Sequence, residues 1–383
     1  MSYLTFRLVI LGLMLFITAC SYALSREYFS SKLYKNARLK MLVINIIMMI
    51  AFYLCYPPNN IPLNIYSSLG QLLIMWFMVQ LFLIVLGILV KIFRLLYEKS
   101  RSCQVDDSKR QFLRGLIWVP AISGIMYGGL YERRNIEFNS VDIEVINAPK
   151  LNGLKIVQLS DVHLGAFFSV GKLQRLLNQI VQQSPDILVM TGDIFDCEEI
   201  NDKAIELIDK YSAYFPFGVY FCWGNHEYMR NIKHLQEVLA KTNIKVLRNE
   251  SIKILSGDRE LYILGVDYVH GEDDEKSMQM REAYLTKALN GVPDNAYKVL
   301  LSHHSIFIDN AFSHNIDLTL TGHTHGGQFA LLGQSLFPLF KYMMGRVDKD
   351  NYTGYVSRGA GSWFPFRLGC PPEVTTFNFV SKE

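Results

Sequence analysis

Lys155-Ile156-Val157-Gln158-Leu159-Ser160-Asp161-Val162-His163 is a short apolar run that ends in a carboxylate and an imidazole. The layout recurs. Residues 186–191 (DILVMT) run into Gly192-Asp193, and 218–222 (GVYFC) lead to Gly224-Asn225-His226-Glu227. Residues 298–302 (KVLLS) run into His303-His304, and 317–321 (DLTLT) into Gly322-His323-Thr324-His325. A sixth run, 261–266 (LYILGV), carries no such ending. Runs this short and this apolar read as buried strands. Between them, 172–183, 201–211, 232–241 and 276–289 follow the 3.6-residue period of amphipathic helices. Strands alternating with helices predict an α/β core.

In open α/β sheets, ligands gather beyond the carboxyl ends of the strands, so five distant segments can converge on one place. Asp161 and His163 stand at i and i+2. An extended strand end would turn both to one side and Val162 into the core, and the same logic covers His323 and His325. Gly192, Gly224 and Gly322 each precede a polar residue, where a missing Cβ permits a tight turn and a close approach. Asp, Asn and His together suit two hard or borderline divalent cations. A pair of such cations is a device for in-line displacement at phosphorus.

Composition bounds the rest. The chain has 383 residues, 50% of them apolar and only 19% charged, with a formal net charge of +3. That balance gives no reason to expect a nucleic-acid partner. The apolar excess lies before residue 131. Runs at 3–24 (broken by Arg7), 41–56, 65–90 and 112–131 (with Arg114 and Pro120) predict a helical transmembrane region over 1–134, followed by a catalytic domain over 150–383. The second run is short for a span and the fourth is interrupted. Basic residues crowd 25–40 and 91–114, whereas 57–64 carry no charge. By the positive-inside rule the two basic loops are cytoplasmic, and four spans then place the catalytic domain on the extracytoplasmic face. Without the fourth span it would face the cytoplasm. Ser108-Lys109-Arg110-Gln111-Phe112-Leu113-Arg114 resembles a twin-arginine export signal, and also reads as an ordinary basic flank. Ile17-Thr18-Ala19-Cys20 resembles a lipoprotein cleavage site, which the charge rule opposes. The six cysteines show no paired spacing; buried thiols are expected, with a Cys197–Cys222 bridge as the alternative.

The series D-x-H, G-D, G-N-H-E, H and G-H-T-H-G-G-Q, in that order, resembles the calcineurin-like metallophosphoesterases, and its last motif resembles their YkuE/YaeI-like branch. The resemblance covers about 150–380 and includes Arg358-Gly359 and the segment 367–373 (RLGCPPE). It implies a four-layer α-β-β-α sandwich. It implies that Asp161, His163 and His325 hold one cation, that Asn225, His303 and His323 hold the other, and that Asp193 bridges them. His226 would contact a phosphate oxygen or protonate the leaving group. Mn, Fe or Zn are the expected ions, since mixed N/O ligation argues against Mg alone. Related enzymes cleave UDP-diacylglucosamine, so the resemblance and the membrane region together suggest phosphodiester or pyrophosphate bonds in lipid-linked substrates. A general phosphatase is the second reading. A non-catalytic scaffold would lack ligands, and none is missing here. A transporter would need ionisable residues in mid-span.

Other residues invite plainer readings. His304 either lines the substrate pocket or orients a ligand. Asp196 either hydrogen-bonds a ligand or caps the helix before Glu198-Glu199. His234 reads as a surface residue, His270 as a solvated loop residue, His314 as structural, and Cys222 and Trp223 as packing. The apolar stretch 329–344, with Phe337 and Phe340, is either a core-covering loop or a flap that meets the membrane and admits a lipid chain.

Overall fold

The computed structural model describes residues 3–29, 34–55, 62–100, 118–257, 259–270, 275–362 and 364–381. Its contacts divide the chain into two units, Met1–Tyr131 and Glu132–Glu383.

The first unit is helical: α1 (Tyr3–Tyr28), α2 (Tyr34–Cys55), α3 (Leu63–Ser100) and α4 (118–126), which ends in the π turn Tyr127–Tyr131. Three stretches are long and apolar enough to cross a membrane among the described residues: Arg7–Ser25, Asn36–Leu54 and Ile65–Phe93. The second apolar run looked short because only its core is uniformly apolar; the helix continues through the basic residues 35–40. Residues 112–117 of the expected fourth span lie outside the described residues, as do the 108–114 string and Cys103. The helices meet around amide groups. Asn45 donates to Thr18 Oγ1 (3.0 Å) and Gln80 Oε1 (2.8 Å), and accepts from Gln80 Nε2 (2.9 Å) and Trp76 Nε1 (2.6 Å). In a bilayer such hydrogen bonds would join apolar helices where hydrophobic burial cannot, because lipid is as apolar as leucine.

The second unit holds two six-stranded sheets. Sheet 1 has the order β1-β14-β2-β3-β4-β5: β1 (Glu137–Val145), β14 (Glu373–Ser381), β2 (Lys155–Leu159), β3 (Ile187–Thr191), β4 (Val219–Cys222) and β5 (Lys245–Val246). Sheet 2 has the order β12-β13-β9-β8-β7-β6: β12 (Gly345–Lys349), β13 (Tyr352–Val356), β9 (Leu318–Gly322), β8 (Tyr297–His304), β7 (Leu261–Gly265) and β6 (Glu250–Leu255). The centres of both sheets, β2-β3-β4-β5 and β13-β9-β8-β7, are parallel.

Alternate residues explain the layering. Val157, Leu159, Leu188 and Met190 pack against α5 (Val170–Val181), α6 (Glu198–Tyr211) and α8 (Ile232–Leu239). Their neighbours Ile156, Ile187 and Val189 point the other way, onto Ile263, Val299, Leu301, Leu318 and Leu320 of sheet 2. Leu264 and Leu300 then face α9 (Glu275–Ala288) and α10 (Phe307–Ser313). Central strands are covered on both faces, which is why their sequences are continuous apolar runs. The result is the four-layer α-β-β-α sandwich.

Candidate active site

Every ligand-type motif leaves the carboxyl end of a strand: Asp161 and His163 after β2, Asp193 after β3, Asn225 and His226 at the start of α7 (Asn225–Tyr228) beyond β4, His303 and His304 at the end of β8, and His323 and His325 after β9. The two facing sheets bring these ends together.

The backbone route differs from the extended strand end expected for Asp161–His163. Both residues are left-handed, at φ +51° and +47°, and so are Asp193 (+54°), His323 (+72°) and His325 (+50°). Val162 is still fully buried. Left-handed backbone costs an L-residue about 1–2 kcal/mol, and such residues concentrate at functional sites where surrounding contacts over-determine them. Here the contacts are visible. The buried Glu227 carboxylate accepts from four backbone N–H groups: Asp193 (3.0 Å), Ile194 (2.7 Å), Phe195 (3.0 Å) and Gly224 (2.9 Å). Asp161 accepts from the His323 N–H (3.0 Å) and from Ser160 Oγ (2.5 Å). The loops are also too close for side chains. A Cβ on Gly224 would lie 2.2 Å from Asp193 Oδ1, and one on Gly322 would lie 2.0 Å from Ser160 Oγ.

Among the described residues three groups of side chains converge, each with its ligand atoms within 4.8 Å of one another: Asp161, His163 and His325; His163, Asp196 and His226; and Asp193, His303 and His323. His163 Nε2 is 3.0 Å from His325 Nε2, and His325 Nε2 is 3.5 Å from Asp161 Oδ1. On the other side, His303 Nε2 lies 3.0 Å from His323 Nδ1 and 3.1 Å from Asn225 Oδ1. Asp193 Oδ2 stands between the two groups, 3.2 Å from His303 Nε2 and 3.8 Å from His163 Nε2.

Hydrogen bonds on the far ring nitrogens fix what faces inward. His303 Nδ1 donates to the Thr191 carbonyl (2.8 Å) and His163 Nδ1 to Asp196 (3.2 Å), which leaves each Nε2 with its lone pair toward the group. Unshared pairs on His163, His303, Asn225 and the aspartates thus converge, and that donor set suits two divalent cations. Burial, helped by the Arg367 guanidinium, keeps His325 far below the ordinary histidine range. Burial would likewise depress His226, but the Asp193 and Asp196 carboxylates outweigh it and hold the ring at about 9.

Of the expected neighbours, Asp196 is the orienting residue and not the helix cap, a position Cys197 takes. Its carboxylate joins His163, His226 Nδ1 (2.9 Å) and Arg230 (2.6 Å). His304 stacks against His323 with ring centroids 4.5 Å apart, and accepts from the Ile306 N–H (3.1 Å). It also lines a cavity of about 360 Å³ with Arg281, Ile306, Phe340, Lys341 and Tyr342. Burial, with the Arg281 guanidinium nearby, pushes it down to about 3. His234 is exposed and pairs with Asp202, His270 packs edge-on to Tyr228 and Tyr268, and His314 closes α10 beside Glu282. Cys197 and Cys222 are free thiols.

Three residues escaped the sequence reading. Glu227 was visible only as the last letter of its motif. Tyr268, which follows β7, places its ring 6.0 Å from His303 and 6.1 Å from His323. Arg367 is fully buried, lies 3.0 Å from His325 Nδ1, and donates to the His325 carbonyl (3.4 Å), Ser362 Oγ (2.8 Å) and the carbonyls of Arg358 (2.7 Å) and Gly361 (2.6 Å). An arginine in the 367–373 segment was the one available signal.

Fold and site together define a metal-dependent phosphoester hydrolase. The calcineurin-like phosphoesterase family matches residues 154–327. A zebrafish (Danio rerio) "transmembrane protein with metallophosphoesterase domain" is 30% identical over 85% of this chain and 75% of its own length. The "uncharacterized metallophosphoesterase YkuE" of Bacillus subtilis is 28% identical over 72% of this chain and 98% of its own. Among solved structures, a Haemophilus influenzae NAD nucleotidase is similar over 55% of this chain and 45% of its own, at 17% identity and a TM-score of 0.35. The chain belongs to the calcineurin-like metallophosphoesterases, a family with a dinuclear metal site.

Proposed function

We propose that this protein is a membrane-anchored hydrolase of phosphodiester or pyrophosphate bonds, acting on lipid-linked substrates such as UDP-diacylglucosamine-like molecules. Asp161, His163 and His325 would hold one divalent cation, Asn225, His303 and His323 a second, and Asp193 both; Mn, Fe and Zn fit this ligation. The observation that carries the reading is the position of Asp193 Oδ2 between the two groups of imidazoles. When bound, the cations supply Lewis acidity at the phosphoryl oxygens and lower the pKa of water.

The remaining work falls to the chain. Asp196 fixes the His226 ring through Nδ1, so that Nε2 faces the site, 3.9 Å from Asp193. In its protonated form the ring can contact a phosphate oxygen and give its proton to a departing alkoxide. Asn225 adds no charge, which keeps its half of the site more electrophilic than a carboxylate would. The cavity behind His304 has room for part of a substrate and presents Arg281 to an anionic group, while Lys341 at its edge is paired with Asp309 (2.8 Å).

The three candidate spans motivate the anchored, lipid-linked reading. With a fourth crossing over 112–131, the basic composition of 25–40 and 91–114 supports an extracytoplasmic catalytic unit, and with three spans it supports a cytoplasmic one; a reporter fused after residue 383 separates the two. For the chemistry, purified protein with Mn is assayed on bis-p-nitrophenyl phosphate. Turnover that vanishes in Asp193→Asn and falls steeply in His226→Ala is expected; equal rates in wild type and both variants reject the assignment. A screen of lipid extracts for phosphate or nucleotide release then separates lipid-linked substrates from general phosphatase activity.

A further inference from the structure

The stretch 329–344, expected as one flap, divides in two. Ala330–Leu331 and Gln334–Ser335 form a small antiparallel hairpin. Its turn residues Leu332 and Gly333 both have positive φ, +51° and +77°, the twist that matches a two-residue hairpin loop. Asn, Asp or Gly ordinarily fill such a turn, because a bulky side chain is strained there. Leu332 nonetheless occupies it and is 96% exposed. Leu331 (64%), Leu336 (53%), Phe337 (53%) and Leu339 (78%) stand out around it. No Asp or Glu occurs from 318 to 347. Contiguous exposed apolar surface of this kind marks an interaction site.

The root of the same stretch turns inward. Phe340 packs edge-on to His304 (4.9 Å between centroids) and lies 5.4 Å from His323. Ser305 Oγ donates to the Tyr342 carbonyl (3.0 Å), and Thr324 Oγ to that of Met343 (2.5 Å). Phe340 therefore belongs to the site wall, and Phe337 to the outer face.

We propose that Leu331, Leu332, Leu336, Phe337 and Leu339 insert into the headgroup region of a phospholipid bilayer and seat the catalytic site at that depth. Among the described residues the same chain has three helices able to cross a membrane, and a chain anchored by them keeps the bilayer at high local concentration. The hairpin tip is apolar and free of carboxylates that would repel anionic lipid. Its root touches the loop that carries His323 and His325, so a tip held in lipid presents the site to substrates whose chains stay in the membrane. Insertion itself does not depend on the metal assignment.

The test uses the full chain reconstituted in phosphatidylcholine–phosphatidylglycerol nanodiscs. Bimane is attached to Leu332→Cys and, as a control, to Lys241→Cys, an exposed position after α8; the signal of the labelled parent chain is subtracted. Nitroxide lipids should quench position 332 strongly, most of all when the nitroxide sits about 5–10 Å into the headgroup–acyl boundary, and leave 241 bright. Quenching at 332 no greater than at 241 overturns the proposal. In a second measurement, the double variant Leu332→Asp, Leu336→Asp should raise KM for a bilayer-embedded phosphodiester far more than KM for bis-p-nitrophenyl phosphate. Equal change on both substrates overturns the role in presentation. A chain inactive on every ester would defeat the proposed chemistry and still leave the quenching result readable.

Discussion

The two halves of the site are built by different means. Asp161, His163 and His325 are buried, sit on left-handed backbone, and have Arg367 behind them. On the other side, His303 lies within β8 and Asn225 opens α7, both with ordinary backbone, while Asn225 and His323 are partly exposed beside Tyr268, His304 and Phe340. The first half is a frame set by buried hydrogen bonds. The second half opens toward the cavity lined by His304 and Phe340. Asp193 belongs to both.

The comparison breaks most completely at the residue the halves share. Asp193→Asn should lower turnover with Mn on the order of 10³-fold, the scale on which electrostatic stabilisation is lost; a variant within tenfold of wild type would mean the halves act separately. Glu227→Ala should cost about 3–5 kcal/mol, since it strips one buried carboxylate from four N–H donors. Urea unfolding reads this, and a loss below about 1 kcal/mol would show that other contacts hold the left-handed loops. Arg367→Met sharpens the contrast. It should weaken one of two Mn affinities measured by calorimetry about 10–100-fold, as loss of a ligand's orienting partner does, and leave the other unchanged; equal weakening of both would deny the buried half its separate frame. The smallest effect is expected at His304→Leu. It should leave metal affinity within about threefold and change KM more than kcat, since His304 lines the open side without directing a lone pair at the cluster.

All six short apolar runs, five of them ending in polar motifs, form strands, because covered parallel strands are apolar on both faces. The outer strands were not visible. β1, β12, β13 and β14 alternate with polar residues, or pair with partners far away in sequence: β14 lies between β1 and β2, more than 200 residues from either. Glu227 and Arg367 were hidden for a related reason. An ionisable residue reads as surface until the fold shows what it is buried against.

The sequence by itself determined the α/β core, the order of the ligand motifs, and the apolar segments able to cross a membrane, because period and residue chemistry are local. Only the tertiary structure decided that Asp161 and His163 converge through left-handed backbone, that Asp196 orients two imidazoles, and that Phe340 turns inward while Leu332 stands in solvent. Those outcomes depend on hydrogen bonds and contacts between segments tens to hundreds of residues apart, which no local pattern encodes.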